Sequence, residues 1–121
     1  MNDRLPTTAD MTSLWARTTR VEITGTPGEP ELRYDVRDAG ELRELSGLLT
    51  VDLTADAFCC MCWGDLRFLL SDARGRHVEQ LTLHLGSASS DLDCGRAGQF
   101  PLVHAEGLRN WLTVRGLRQP A

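Results

Sequence analysis

The order of apolar and polar residues predicts a mainly antiparallel sheet interrupted by helices. Residues 20–24 and 31–37 alternate between apolar and polar side chains, and the stretch TPGEP between them is rich in proline and glycine. Alternation sends successive side chains to opposite faces of a strand, so these two runs are expected to form a hairpin. Residues 57–63, 66–71 and 77–85 are further strand-like runs, which gives about five strands.

Two segments have the spacing of amphipathic helices. Asp38 is a predicted N-cap, and Glu41 three residues later would complete a capping box. The apolar side of this helix is formed by Leu42, Leu45, Leu48 and Leu49. Residues 105–115 carry a second apolar stripe and end at Gly116, a predicted C-cap. Antiparallel strands with two segregated helices predict a two-layer α+β fold.

Two stretches of the chain permit more than one interpretation. Residues 1–18 are assigned to a flexible N-terminal segment ahead of a single domain over 19–121, although the spacing of Met11, Leu14 and Trp15 also permits a short helix after Thr8. Residues 86–98 are rich in serine, aspartate and glycine, which predicts a surface loop with at most one short edge strand.

Composition narrows the class of protein. The chain has 121 residues, 41% hydrophobic and 25% charged, which is typical of one soluble globular domain. No signal peptide or membrane-spanning run is visible, so we expect a cytoplasmic protein whose four cysteines are reduced. The net charge is -4 and the 13 basic residues, all arginine, are scattered among acids. This distribution argues against nucleic acid as a partner.

The cysteines of the segment FCCMCWGD fall on two faces of the predicted strand. Cys59 shares a face with Met61 and Trp63, whereas Cys60 and Cys62 lie on the other. A type II′ turn at Gly64 and Asp65 would make apolar pairs. These pairs are Cys59 with Leu70, Met61 with Phe68, and Trp63 with Leu66. Cys59 would then be a small core hydrophobe, and the next hairpin would place Phe68 opposite Leu81 and Leu66 opposite Leu83.

The opposite face of the same strands is semi-polar. Its residues are Cys60, Cys62, Arg67, Leu69, Thr82 and His84. In this register the carboxylate of Asp65 lies opposite His84, where it could hydrogen-bond the imidazole. We interpret this surface as a partner-binding face of a non-enzymatic module without a cofactor, of the immunity, antitoxin or accessory-subunit kind. The expected partner is another protein, including a second copy of the chain, and neither nucleic acid nor a membrane.

A metal site is the alternative function that the residue types permit. Cys60, Cys62, His84 and Cys94 provide the ligands of a Zn or Cu(I) site with a structural or sensing role. Strands lie about 4.8 Å apart, so ligands two strands apart are too distant for one ion unless the loop with Cys94 folds back.

Catalysis has candidate groups but no matching motif. Possible bases and nucleophiles are His77, His84, His104 and Cys94. The sequence contains no nucleophile elbow and no phosphate-binding loop, which favours a protein that is not an enzyme.

One series of motifs resembles a known group of proteins. Its members are Cys60, Cys62 and Gly64, then His84 and Gly86, then Trp111 and Leu112. Over roughly the last two-thirds of the chain, this order resembles a loose group of small proteins from actinobacteria and other GC-rich bacteria. The resemblance implies a fold and no activity. Many members of that group are expected to carry a second histidine where this chain has Leu85.

Overall fold

The computed structural model describes residues 8–25, 32–55, 64–85, 90–94 and 98–117, and these residues form an open α+β fold. The helices are α1 (Thr8–Arg17), α2 (Ala39–Leu48) and α3 (Ala105–Val114). The strands are β1 (Arg20–Gly25), β2 (Arg33–Val36), β3 (Leu66–Ser71), β4 (His77–Leu85), β5 (Ser90–Asp93) and β6 (Gln99–Pro101). They form one antiparallel sheet in the order β2-β1-β3-β4-β5-β6. This confirms the predicted class, with six strands rather than about five.

One side of the sheet carries the apolar core. Leu66 lies opposite Leu83 and Phe68 opposite Leu81, which is the predicted register. The buried side chains of the sheet are Val21, Ile23, Val36, Leu66, Phe68, Leu70, Leu81, Leu83, Leu92 and Phe100. They form a single cluster with helix residues including Leu45, Leu108 and Leu112. The helices therefore cover this side of the sheet, and the strands that alternate in sequence present polar residues on the other.

The predicted hairpin between residues 57–63 and β3 is wrong. β1 pairs with the full length of β3, from Arg20 opposite Ser71 to Gly25 opposite Leu66, and β4 occupies the other edge. A strand has only two edges, so the proposed pairings of Cys59, Met61 and Trp63 with β3 cannot form. Those three residues lie outside the described ranges.

The segment predicted as a surface loop contains part of the sheet. β5 lies between β4 and β6, and Leu92 is fully buried between its neighbours Leu83 and Phe100. The prediction allowed at most one short edge strand, whereas β5 is internal. A single apolar residue between Asp91 and Asp93 gives too weak an alternation to reveal a strand.

The helix termini follow the predicted chemistry in part. Asp38 caps α2, because its Oδ2 accepts the backbone N–H of Glu41 at 2.9 Å. Gly116 follows α3 with a φ of +73°, the left-handed conformation expected after a helix. Of the two alternatives for the N-terminal region, the short helix is present as α1. Within the described ranges, no helix is long and apolar enough to cross a membrane.

Candidate functional site

The second face is the side of the sheet away from the helices. Its side chains, from β2 to β6, include Arg33, Asp35, Arg20, Glu22, Thr24, Arg67, Leu69, Gln80, Thr82, His84, Asp91, Asp93 and Gln99. Arg67 lies opposite Thr82, and Leu69 lies opposite Gln80. The structure thus brings together the described members of the predicted partner-binding face, with Arg67, Leu69 and Thr82 half-buried. Cys60 and Cys62 lie outside the described ranges.

The second face is buried at its β4–β6 end. His84 and Asp91 are directly opposite each other and each is 8% exposed, and Gln99 is 2% exposed. Gly64 lies against this end, since an added Cβ would be 2.5 Å from Thr82 Cγ2 and 3.3 Å from His84 Cε1. His84 is therefore part of the interior of the fold and offers little surface to a partner.

Asp65 has a different role from the one expected of it. Its Oδ2 accepts the backbone N–H of Leu85 at 2.6 Å, and its own N–H donates to the carbonyl of Leu83 at 2.7 Å. These bonds tie the entry of β3 to the end of β4. Asp65 thus stabilises the backbone of β4 at the edge of the buried end. The prediction had instead paired its carboxylate with the His84 imidazole.

The described members of the alternative metal set are not brought together. Cys94 packs against the apolar core on the helix side, whereas His84 belongs to the second face. Burial, with smaller contributions from Asp93 and Glu79, raises the pKa of the Cys94 thiol to about 12, which disfavours the thiolate that a metal needs. No group of three histidine, cysteine, aspartate or glutamate side chains in the described ranges has the arrangement of a metal site.

A cleft between α1 and the end of α2 is lined only by uncharged residues. We call it the α1–α2 cleft; its residues are Met11, Thr12, Trp15, Ser46, Gly47, Leu49, Thr50, Val51 and Leu53. Its volume is about 280 Å³. Met11, Trp15 and Leu53 remain half-buried, so part of their apolar surface faces the cleft. A Cβ added at Gly47 would meet no atom within 4 Å, so there is open space beside this exposed residue.

Sequence reasoning did not identify this cleft as a site. The available signal was the spacing of Met11, Leu14 and Trp15, which forms one side of α1 and packs Leu14 and Trp15 against the core. The opposing wall comes from residues that follow α2, Val51 and Leu53, and Val51 is held there by a bridge to Leu102. Pairs of segments so far apart in the chain carry no local pattern that links them.

A half-buried polar and aromatic cluster joins β2, α2 and α3. The Tyr34 hydroxyl donates to Glu41 Oε2 at 2.7 Å, and Arg115 Nε donates to the same oxygen at 2.8 Å. The Arg115 guanidinium lies 3.8 Å from the centre of the Trp111 ring, whose Nε1 donates to Glu44 at 2.8 Å. The bond to Glu41 is the main reason that the pKa of Tyr34 is raised. These groups satisfy one another, so the cluster is a structural brace.

Comparison with known proteins gives no relative for this chain. No protein-family model matches it, and neither a curated protein nor a solved structure shows significant similarity.

Proposed function

We propose that this protein is a small non-enzymatic protein-binding module, of the kind represented by immunity proteins, antitoxins and accessory subunits. The α1–α2 cleft is the observation that supports this function. It is an apolar concavity that exposes a tryptophan and a methionine, residue types enriched where proteins bind each other.

The lining of the cleft favours an apolar ligand group. All nine lining residues are uncharged, and the polar ones, Thr12, Ser46 and Thr50, are hydroxyl-bearing. A charged ligand would lose hydration there without gaining an opposite charge from these side chains. An apolar side chain would gain roughly 25 cal/mol for each Å² that it buries.

The cleft can take side chains that project from a larger partner. Its volume of about 280 Å³ is close to the lower end of the roughly 300–1,000 Å³ that pockets for drug-sized ligands have. A few side chains projecting from a protein surface match such a volume. The half-buried middle of the second face, with Arg67, Leu69 and Thr82, is a further surface that we propose contacts a protein partner.

Gly47 offers a direct test, because it lies in α2 and lines the cleft. Gly47→Leu places a large side chain in the open space, and Gly47→Ala is its matched control. Both remove a helical glycine, so each should raise helix stability by about 1 kcal/mol. Only the leucine fills the cleft. Proteins captured from a lysate of the source cells are identified by mass spectrometry, and the purified partner is then titrated by calorimetry.

We expect Gly47→Ala to bind the purified partner like the wild type and Gly47→Leu to bind at least about tenfold more weakly, which is about 1.4 kcal/mol. A partner that binds all three proteins equally would exclude the cleft as its site. Arg67→Ala and Leu69→Ala, measured with the same partner, then report on the second face.

A further inference from the structure

The outer edge of β2 presents main-chain groups of two charged residues. β2 ends the sheet among the described residues. The Gly25 N–H donates a hydrogen bond to the Leu32 carbonyl at 3.1 Å, so Gly25 and Leu32 are a hydrogen-bonded pair of the β1–β2 ladder. Bonded and non-bonded positions alternate in an antiparallel ladder, so Tyr34 and Val36 direct their N–H and C=O groups to β1. Arg33 and Asp35 direct theirs outward.

The side chains at this edge have opposite charges two residues apart. Arg33 and Asp35 both lie on the second face, and their side chains are 68% and 41% exposed. Arg33 Nε lies 3.5 Å from Glu22 Oε2, and the Asp35 carboxylate accepts two hydrogen bonds from the Arg20 guanidinium, at 2.8 and 3.0 Å. These contacts orient the edge charges but leave much of each side chain open to a second molecule.

We propose that two copies of this protein join through their β2 edges, antiparallel about a two-fold axis centred at Tyr34. In this register Arg33 of each copy lies opposite Asp35 of the other, and the outward groups of these residues form the hydrogen-bonded pairs. The two sheets become one continuous sheet, and two pairs of opposite charges face each other across the join.

The charge pattern selects this register and a second copy as the occupant. Centring the axis on Arg33 would oppose two arginines, and centring it on Asp35 would oppose two aspartates; like charges directly opposite each other destabilise a pair of strands. A slip by one residue would put outward groups opposite inward ones and remove the hydrogen bonds. A strand of four residues gives a small interface, so the association is weak and reversible.

β2 is held in place from both sides of the sheet, which favours pairing without rearrangement. On the helix side, the Tyr34 hydroxyl is bonded to Glu41, and Tyr34 also contacts the Trp111 ring edge-on at 6.1 Å between centroids. On the second face, Arg20 clamps Asp35. A fixed strand loses little conformational freedom when it gains a neighbour.

Sedimentation velocity over a concentration series tests the register through two charge reversals. Arg33→Asp leaves two acids at the edge and Asp35→Arg leaves two arginines, so each variant alone should self-associate at least tenfold more weakly than the wild type. An equimolar mixture of the two variants should associate again, because every cross-pair then joins an acid to an arginine. Arg74→Asp and Glu106→Arg make the same changes in net charge at exposed positions outside β2 and should have no effect.

Hydrogen exchange of the wild type gives a second measurement that needs no variant. The N–H groups of Arg33 and Asp35 should exchange more slowly as concentration rises, whereas that of Tyr34, already bonded to β1, should not change. Thermal melting checks that each variant is folded. If Asp35→Arg does not fold, the exchange pattern of the wild type alone tests the dimer.

A monomer at every concentration, with exchange at Arg33 and Asp35 unchanged, would overturn the proposal. So would a mixture of folded variants that stays monomeric, or an association that neither reversal weakens. The Gly47→Leu variant should self-associate like the wild type, because the α1–α2 cleft shares no residue with β2. Failure of the dimer is therefore distinguishable from failure of the proposed partner-binding function.

Discussion

The two ends of the second face have the same strand geometry and opposite environments. At the β2–β1 end, Arg20, Glu22, Arg33 and Asp35 form a ladder of ion pairs that is open to solvent. At the β4–β6 end, His84, Asp91 and Gln99 are polar and yet at most 8% exposed. The polar character of the side chains therefore does not determine which part of a sheet face is exposed to solvent.

The difference predicts where substitutions matter. Exposed ion pairs contribute roughly 0–1 kcal/mol because water and salt screen them. A buried polar group is expensive to disturb, because its partner loses a hydrogen bond that water does not replace. The β4–β6 end should therefore determine stability, and the β2–β1 end should be free to take part in recognition.

Gly64 should give the largest effect, because it lies where the chain contacts the buried end. An alanine Cβ there would sit 2.5 Å from Thr82 Cγ2 and 3.0 Å from the Leu83 carbonyl oxygen, and the φ of +77° adds strain. We expect Gly64→Ala to lower the free energy of unfolding by about 3 kcal/mol or more, measured by urea denaturation.

Gly75 is the matched control for this substitution. Its φ is +78°, and an added Cβ would meet no atom within 4 Å. Gly75→Ala therefore carries the conformational strain without the collision, and we expect a loss of about 1 kcal/mol. Equal losses at Gly64 and Gly75 would show that the close contact with Thr82 does not restrict the buried end.

A pair of isosteric changes compares the two ends directly. Asp91 is 8% exposed, whereas the Asp35 side chain is 41% exposed. Asp91→Asn should lower the free energy of unfolding by about 1–3 kcal/mol, and Asp35→Asn by less than about 1 kcal/mol. Urea denaturation at pH 7 measures both. Comparable losses would contradict the contrast between a buried and an exposed end.

The sequence predicted the middle of the sheet well because strong local patterns determine it. The leucines of β3 and β4 occupy alternate positions, and a slip of one residue would turn all of them away from the core, so the register of Leu66 with Leu83 could be derived. Asp38 could be identified as a cap because a helix N-terminus has unsatisfied N–H groups that its carboxylate accepts.

The predictions failed where strands far apart in the chain compete for one edge. Residues 57–63 alternate well enough to suggest a hairpin with β3, but β1 takes that edge, and no local pattern reveals the competition. β5 was missed for a different reason, the weak alternation of one apolar residue between Asp91 and Asp93, and the burial of His84 has no local signal at all. The residues that share the second face could therefore be predicted from the sequence. Their burial could not, since it depends on which other parts of the chain cover the face.

The pH dependence of stability that arises at the exposed β2–β1 end should give the smallest effect. The hydrogen bonds from Arg20 lower the pKa of Asp35, against a smaller opposing effect of burial, and the charges of Arg20 and Arg37 lower it further. A carboxyl with a lowered folded pKa stabilises the fold above its unfolded pKa, near 3.9, and this contribution disappears as pH falls through the folded pKa. The stability difference between wild type and Asp35→Asn should be present at pH 7, should shrink as pH falls below the unfolded pKa, and should stay below about 1 kcal/mol throughout because the pair is solvent-exposed. Urea midpoints across this pH range measure the difference, and added salt should reduce it at pH 7. A difference that persists unchanged at pH 2 would mean that Asp35 stabilises the edge through its shape or through the β2 backbone and not through its charge.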